Sequence, residues 1–183
     1  MHPEEPKILR DELLCSGKRV KLFKRVLVRG KDEIEKDLVS FGSSVVIIPL
    51  LDDGRVVFLK QYRAAIASWI IELPAGRVED NEDPREAAIR ELEEETGYRA
   101  QYIERIASAF VSPGYSDELM HIFIAKGLKP GIPHPERGEF LEKVLMKPEE
   151  YLSDLNSVKD MKSIASILLL LHKAHESVLR GSD

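Results

Sequence analysis

Residues 76–98 read GRVEDNEDPREAAIRELEEETGY, and this is the most informative stretch of the sequence. Its second half predicts an α-helix in which Glu91, Glu94 and Glu95 follow the spacing i, i+3 and i+4, so their carboxylates share one face. Neighbouring like charges on a helix repel, at about 0.2–0.5 kcal/mol for each pair. A divalent cation between the oxygens would relieve this repulsion, and Mg²⁺ prefers hard oxygen ligands. The stretch therefore predicts a helix that carries a metal site.

The two ends of this helix carry their own signals. Asp83 is a good N-cap, Pro84 suits the first helical position, and Glu86 lies where a capping box needs it. Gly97 follows the last turn as a left-handed C-cap. The side chains expected to face a core are those of Ala88, Ile89, Leu92 and Thr96.

Most glutamate-rich helices are only solvated surface helices, and that interpretation has to be weighed first. The fixed spacing of unlike residues favours a specific site instead. Residues 76–97 follow the pattern G-x5-E-x7-R-E-L-x-E-E-x-G, which resembles the signature of the Nudix hydrolases.

The resemblance implies a hydrolase that cleaves a nucleoside diphosphate linked to another moiety. It implies an α/β (α+β) fold, an α/β/α sandwich around a mixed β-sheet, here with a small N-terminal β segment. It also implies two or three Mg²⁺ ions, for which Mn²⁺ can substitute. The implied metal ligands are Glu91, Glu94, Glu95 and the carbonyl of Ala75. Glu82 and Arg90 resemble structural partners of the loop, and Gly76 and Gly97 resemble turn glycines.

Flanking segments resemble the ADP-ribose pyrophosphatase branch, which yields AMP and ribose 5-phosphate. These are SPGYSDE at residues 112–118, QYR at 61–63 and WIIELPAG at 69–76. By this resemblance Arg63 contacts a substrate phosphate and Glu118 contacts the terminal ribose. The full set of substrate-binding candidates is Arg63, Glu118, Tyr62, Ser116 and Lys36.

The catalytic base is less well defined by the sequence. The subfamily often carries it in an acidic E-x-E loop, whereas residues 134–142 read HPERGEFLE, with Glu136 and Glu139 three apart. Either glutamate is a candidate base. Glu139 is favoured slightly because it adjoins the strand expected at Phe140, and Glu94 is a third candidate.

Composition limits the remaining function classes. The net charge of −5 over 183 residues argues against binding to a phosphate backbone, so no nucleic-acid partner is expected. Cys15 is the single cysteine, which excludes an internal disulfide and a thiolate zinc site. The first residues lack a signal-peptide pattern, and the apolar run at 164–171 is too short to span a bilayer. A cytoplasmic location without a membrane partner is expected.

The rest of the chain reads as alternating strands and helices. Residues 19–28 alternate apolar and basic side chains, as a half-exposed strand does, and a turn follows at 30–32. Residues 1–35 are expected to form a dimerisation element and residues 36–183 the Nudix domain. Further strands are predicted at 44–51, 55–62, 102–111, 120–125 and 140–146, and helices at 148–155 and 160–179.

Two other functions remain open at this point. One is hydrolysis of a different nucleotide sugar, such as GDP-mannose. The other is a non-catalytic Nudix sensor of ADP-ribose or NAD, although such regulators usually carry a DNA-binding extension and this chain has an intact glutamate set. A nucleoside-triphosphate hydrolase is disfavoured because those chains are usually shorter and lack the SPGYSDE-like segment.

Overall fold

The computed structural model describes residues 5–135, 138, 140–153 and 160–180, with the side chains of 177–180 excepted. These residues fall into two compact units. The first combines Met1–Ser43 with Ala109–Met120, and the second combines Ser44–Ser108 with His121–Asp183.

The described elements confirm the predicted α/β class. The strands are β1 (Lys7–Ser16), β2 (Lys21–Arg29), β3 (Asp32–Ser40), β4 (Ser43–Pro49), β5 (Val56–Arg63), β6 (Ser68–Glu72), β7 (Ala75–Arg77), β8 (Arg99–Phe110), β9 (Leu119–Lys129) and β10 (Leu141–Met146). The helices are α1 (Pro84–Thr96), α2 (Pro148–Ser153) and α3 (Met161–Arg180), and a 3₁₀ turn covers Ala64–Ile66.

The first unit contains a three-stranded antiparallel sheet in the order β1-β2-β3. The alternating residues 19–28 form β2 as predicted, and Gly30, with φ of 62°, makes the tight turn into β3. β3 runs through the predicted boundary between residues 35 and 36. Both faces of β1 are exposed, because Ile8, Leu9 and Leu13 each keep more than half of their surface accessible.

The second unit is built on two sheets, ordered β7-β4-β9-β8 and β10-β5-β6. Helix α1 packs against the four-stranded sheet, where its apolar stripe meets strands β4, β8 and β9. The buried cluster consists of Val45, Ile47, Ala87, Ala88, Leu92, Ile103, Phe123 and Ala125. Ile89 packs at the edge of this cluster, so the predicted core face of α1 is confirmed.

Helices α2 and α3 fix the end of β6 in the second unit. Tyr151 of α2 stacks on Phe58 at 4.5 Å between ring centroids, and its hydroxyl donates to the Ile71 carbonyl at 3.0 Å. Ser163, near the start of α3, accepts a hydrogen bond from the Leu73 N–H at 2.8 Å and donates to Asp160 at 2.8 Å. The chain leading from β6 into β7 is therefore held on both sides of residue 72.

Asp83 is the N-cap of α1 and Gly97 its C-cap, as predicted, but the described hydrogen bonds do not include the predicted capping-box bond of Glu86. The Asp83 carboxylate accepts a hydrogen bond from the Arg85 N–H at 2.8 Å, and Pro84 is the first helical residue. Gly97 closes the helix with φ of 75°, and its N–H donates to the Glu93 carbonyl at 2.8 Å. Within the described part of the chain, no helix is both long enough and apolar enough to cross a membrane.

Candidate active site

The Glu91 carboxylate of α1 lies directly against Gly76 of β7. A Cβ atom on Gly76 would collide with the Glu91 carboxylate, so a larger residue here would require the Glu91 side chain to move. Gly76 lies inside β7, paired with Val45, and is not among the described glycines with positive φ. The sequence predicts a turn glycine here, and this is wrong. The requirement for glycine is space for a carboxylate, not a left-handed backbone.

The three glutamates of α1 lie in different environments. Glu95 is only 5% exposed, and its Oε2 accepts a hydrogen bond from the Ala75 N–H at 3.0 Å. The Glu91 side chain is 13% exposed and that of Glu94 is 38% exposed. Two carboxylates therefore lie against the backbone of residues 75 and 76, and the third reaches toward solvent.

Arg90 bonds to several acidic groups at this end of the second unit. Its Nη1 donates to Glu91 at 2.7 Å and to Glu94 at 3.2 Å. Its Nε and Nη2 donate to the two oxygens of Glu82 at 2.9 and 3.0 Å, and Nη2 also reaches the Arg77 carbonyl at 3.0 Å. The bond to Glu82 and the contacts with Glu91 raise the pKa of Arg90 although burial opposes the rise. The guanidinium therefore ties the loop of residues 77–82 to the helix.

The donor set is chemically suited to a hard divalent cation. Within the described ranges, no three acidic, histidine or cysteine side chains lie at metal-holding separation. One nitrogen of Arg90 bonds both Glu91 and Glu94. Carboxylate and carbonyl oxygens are the ligands that Mg²⁺ takes in proteins. Glu91, Glu94, Glu95 and the Ala75 carbonyl stay the predicted ligands of the ion.

Arg63 and Tyr62 point to opposite faces of β5. The Arg63 guanidinium makes a bidentate contact with Glu72, with Nε and Nη2 donating at 2.7 and 2.8 Å. Tyr62 is 40% exposed and packs edge-on against Trp69 at 5.6 Å. Successive residues of a strand face opposite sides, so only Arg63 is directed toward the buried Glu72.

The predicted ribose-binding segment, residues 112–118, lies in the first unit. The Ser112 carbonyl accepts from the Tyr115 and Ser116 N–H groups at 3.1 and 2.9 Å, which makes a tight turn. The Ser116 hydroxyl accepts from the Glu118 N–H at 3.2 Å. Lys36 lies on β3 of the same unit with its side chain exposed.

Asp117 also belongs to this loop, and its sequence context predicts no substrate contact for it. Its carboxylate accepts hydrogen bonds from the Ser40 hydroxyl at 2.9 Å and from the N–H groups of Phe41 and Gly42 at 2.7 and 3.1 Å. The Asp117 N–H also donates to the Val39 carbonyl at 3.3 Å. Aspartate in a turn-rich segment is the only local signal, and it does not show which distant backbone the carboxylate will bind.

Both favoured base candidates, Glu136 and Glu139, lie outside the described residues. The segment before them is described, and its His134 N–H donates to the Glu94 carbonyl at 2.8 Å. Gly131 and Gly97 approach so closely that a Cβ on Gly131 would come within 2.6 Å of the Gly97 carbonyl oxygen. A cavity of about 580 Å³ lies here, beside Arg90 and Glu94.

Comparison with known proteins extends these observations. A family model described as the NUDIX domain matches residues 40–166. A methanol dehydrogenase activator from Bacillus methanolicus is 33% identical over 172 residues, covering 91% of this chain and 92% of the relative. An ADP-ribose pyrophosphatase from Bacillus subtilis is 36% identical over 126 residues, covering 68% of each chain. An ADP-sugar pyrophosphatase from Mus musculus is 33% identical over 175 residues, covering 85% of this chain and 80% of the relative.

A solved structure has the same fold as this chain. The crystal structure of an ADP compounds hydrolase superposes with a TM-score of 0.84 at 20% sequence identity. The alignment covers 97% of this chain and 98% of that chain. The likeness confirms the fold that the signature in residues 76–97 implies.

Proposed function

Because this chain belongs to the Nudix family of hydrolases, we propose that it cleaves the pyrophosphate of ADP-ribose to AMP and ribose 5-phosphate. The observation that carries the proposal is the acidic face of α1, held against Ala75 and Gly76 by the Glu95 hydrogen bond and the glycine contact. The similarity to proteins named ADP-ribose pyrophosphatase and ADP-sugar pyrophosphatase supports the substrate class.

In the proposed reaction a water oxygen attacks one phosphorus atom of the diphosphate. The bond from that phosphorus to the bridging oxygen breaks, and the bridging oxygen leaves with the other phosphate. The water proton passes to a carboxylate base, for which Glu139, Glu136 and Glu94 are the candidates. Atoms balance, since one water and one ADP-ribose give two phosphate monoesters.

Members of the Nudix family generally use divalent metals, which neutralise phosphoryl charge and lower the pKa of a bound water. In this chain we assign that binding to Glu91, Glu94, Glu95 and the Ala75 carbonyl. Arg63 holds a substrate phosphate through charge-assisted hydrogen bonds. Glu118 and Ser116 are assigned to the terminal ribose, and Tyr62 and Lys36 remain further substrate-binding candidates.

We also propose that the active form is a homodimer. The supporting observation is the exposed β1, which presents Ile8, Leu9, Leu13 and Leu14 to solvent. A three-stranded sheet with apolar residues on an exposed edge strand is a common surface for association.

A substrate panel tests the function directly. Purified protein with Mg²⁺ is offered ADP-ribose, GDP-mannose, NAD⁺, a diadenosine polyphosphate and ATP, and released nucleotides are separated by chromatography. We expect ADP-ribose to give the highest kcat/KM, with AMP and ribose 5-phosphate in equal amounts. Preference for GDP-mannose would replace the substrate assignment, and tight binding of ADP-ribose without turnover would indicate a sensor.

A second function is suggested by the relative from Bacillus methanolicus. That protein is named a methanol dehydrogenase activator, and its similarity spans 172 residues and so includes much of the N-terminal sheet. The test adds this chain to a purified methanol dehydrogenase with NAD⁺ and compares wild type with Glu95→Gln. If wild type raises the rate of the methanol dehydrogenase and Glu95→Gln does not, activation and hydrolysis use the same site.

A further inference from the structure

Glu72 is a buried carboxylate that the signature pattern does not contain. Its side chain is 1% exposed, and it lies at the end of β6 opposite Leu59 of β5. Both of its oxygens accept hydrogen bonds from Arg63. Burial raises the pKa of Glu72, and the contact with Arg63 works against that rise.

Stability alone gives little reason for such a pair. Removing two charges from water costs several kcal/mol per ion, so a buried ion pair is often no more stabilising than apolar side chains of similar volume. An ion pair does fix geometry, because a bidentate arginine–carboxylate contact sets both the distance and the plane of the guanidinium.

The guanidinium bridges the interior and the surface. Glu72 is almost fully buried, whereas the Arg63 side chain keeps 34% of its surface accessible. Arginine carries five N–H donors in a rigid planar fork, and the two bonds to Glu72 use only two of them. The edge of the Arg63 guanidinium that faces away from Glu72 therefore still carries N–H donors. The contact with Glu72 sets the plane in which these donors lie.

Glu72 itself is held from both sides. The carbonyl of Ile71 accepts from the Tyr151 hydroxyl at 3.0 Å, and the N–H of Leu73 donates to Ser163 at 2.8 Å. Three residues further on, the Ala75 N–H donates to Glu95. The short segment 71–75 thus fixes the partner of Arg63 and one of the proposed metal ligands.

We propose that Glu72 is a positioning residue that holds the Arg63 guanidinium in the orientation in which its remaining N–H groups bind a substrate phosphate. This inference rests on the proposed function, because it takes the phosphate contact of Arg63 from it. Glu72 itself does not contact the substrate and acts only through Arg63.

The test is a double-mutant cycle on the best substrate of the panel. Arg63→Ala should lower kcat/KM by about 10- to 100-fold, the equivalent of one charge-assisted hydrogen bond. Glu72→Gln should lower kcat/KM by about tenfold, mainly through a higher KM, because a misoriented Arg63 guanidinium binds the phosphate less well. In the Arg63→Ala background, Glu72→Gln should have no further effect. Equal losses in both backgrounds, or a normal KM in Glu72→Gln, would overturn the proposal.

Two further variants guard against a purely structural effect. Val26→Ala opens a small cavity at a fully buried residue of β2 and touches neither Glu72 nor Arg63, so it should lower Tm and leave KM unchanged. Arg63→Lys keeps a cation next to Glu72 but loses the planar fork, so it should show nearly the loss of Arg63→Ala even if Glu72→Gln does not fold. Wild-type kinetics in Arg63→Lys would refute the orienting role.

The cycle also separates this inference from the proposed function. Wild-type protein that hydrolyses nothing in the panel would remove both. Wild-type protein that hydrolyses a nucleoside diphosphate derivative, together with an unimpaired Glu72→Gln variant, would remove only the role of Glu72.

Discussion

The carboxylate of Asp117 accepts a hydrogen bond from the backbone N–H of Phe41 at 2.7 Å, across 76 residues of sequence. The same carboxylate binds the Gly42 N–H and the Ser40 hydroxyl. Burial alone would raise the pKa of Asp117, but these three donors outweigh it and hold the pKa below its ordinary value of 3.8. Asp117 therefore anchors the loop of residues 112–118 to the end of β3.

The first prediction follows from the sign of that pKa shift. A carboxylate with a lowered pKa stabilises the folded state above its unfolded pKa, and this contribution is lost as the pH falls through the folded value. Asp117→Asn should lower Tm by about 3–6 °C at pH 7, and the difference from wild type should shrink below about pH 4. Thermal unfolding at pH 7, 5 and 3 measures it. Asp32→Asn, an exposed change on β3, is the control and should leave Tm unchanged at every pH.

The second prediction concerns the metal ligands. Glu95→Gln and Glu94→Gln should each lower kcat by about 10²-fold or more, a typical loss when a key electrostatic group is removed. Glu93→Gln is the matched control, because Glu93 lies on the same helix but pairs with the exposed Arg99 at 3.2 Å. Turnover is measured over a Mg²⁺ titration. Near-normal turnover and unchanged Mg²⁺ dependence in Glu95→Gln would contradict the ligand assignment.

The third prediction concerns assembly through β1. Light scattering at micromolar concentration should give twice the chain mass of 20.8 kDa. Leu13→Glu should give a monomer, because it places a charge on the exposed apolar surface of β1. Leu168→Glu, at a similarly exposed leucine of α3, should stay dimeric. A wild-type monomer with full activity would remove this proposal.

Local sequence was enough to predict α1 with both caps, because Asp83, Pro84 and Gly97 act within one turn of the residues they stabilise. Local sequence does not predict contacts between residues that strand pairing and packing bring together. Arg63 meets Glu72 only because the 3₁₀ turn and the β5–β6 pairing bring them together. Ser163 meets Leu73 across 90 residues. Strand β1 carries no clear alternation of its own, and its conformation is set by pairing with β2.

The fourth prediction concerns the base. Glu139→Gln should lower kcat by about 10²–10⁴-fold with an altered pH–rate profile, the usual size of a general-base loss. Glu136→Gln should be much milder. The reverse order would assign the base to Glu136. Full kcat in both variants would contradict a base at either position and leave Glu91 or Glu94 as the candidates.

The last prediction concerns the ribose contact of Glu118. The backbone of Glu118 is held at both ends, since its N–H donates to the Ser116 hydroxyl at 3.2 Å and its carbonyl accepts from the Val111 N–H at 3.0 Å. Glu118→Ala keeps both backbone atoms, so its effect should report on the side chain. We expect kcat/KM for ADP-ribose to fall by about 10- to 100-fold, since each charge-assisted bond to a ribose hydroxyl contributes about 1.5–3 kcal/mol.

Comparing two substrates distinguishes a ribose contact of the Glu118 side chain from a role of that side chain in supporting the loop. A dinucleoside polyphosphate presents a different group at that end, so Glu118→Ala should change its hydrolysis by no more than about threefold. Asp117→Asn is the comparison for a loosened loop, because it removes the charge of the carboxylate that binds residues 40–42. That variant should affect all substrates alike and lower Tm. If Glu118→Ala behaves in the same uniform way, Glu118 supports the loop and the ribose assignment is wrong.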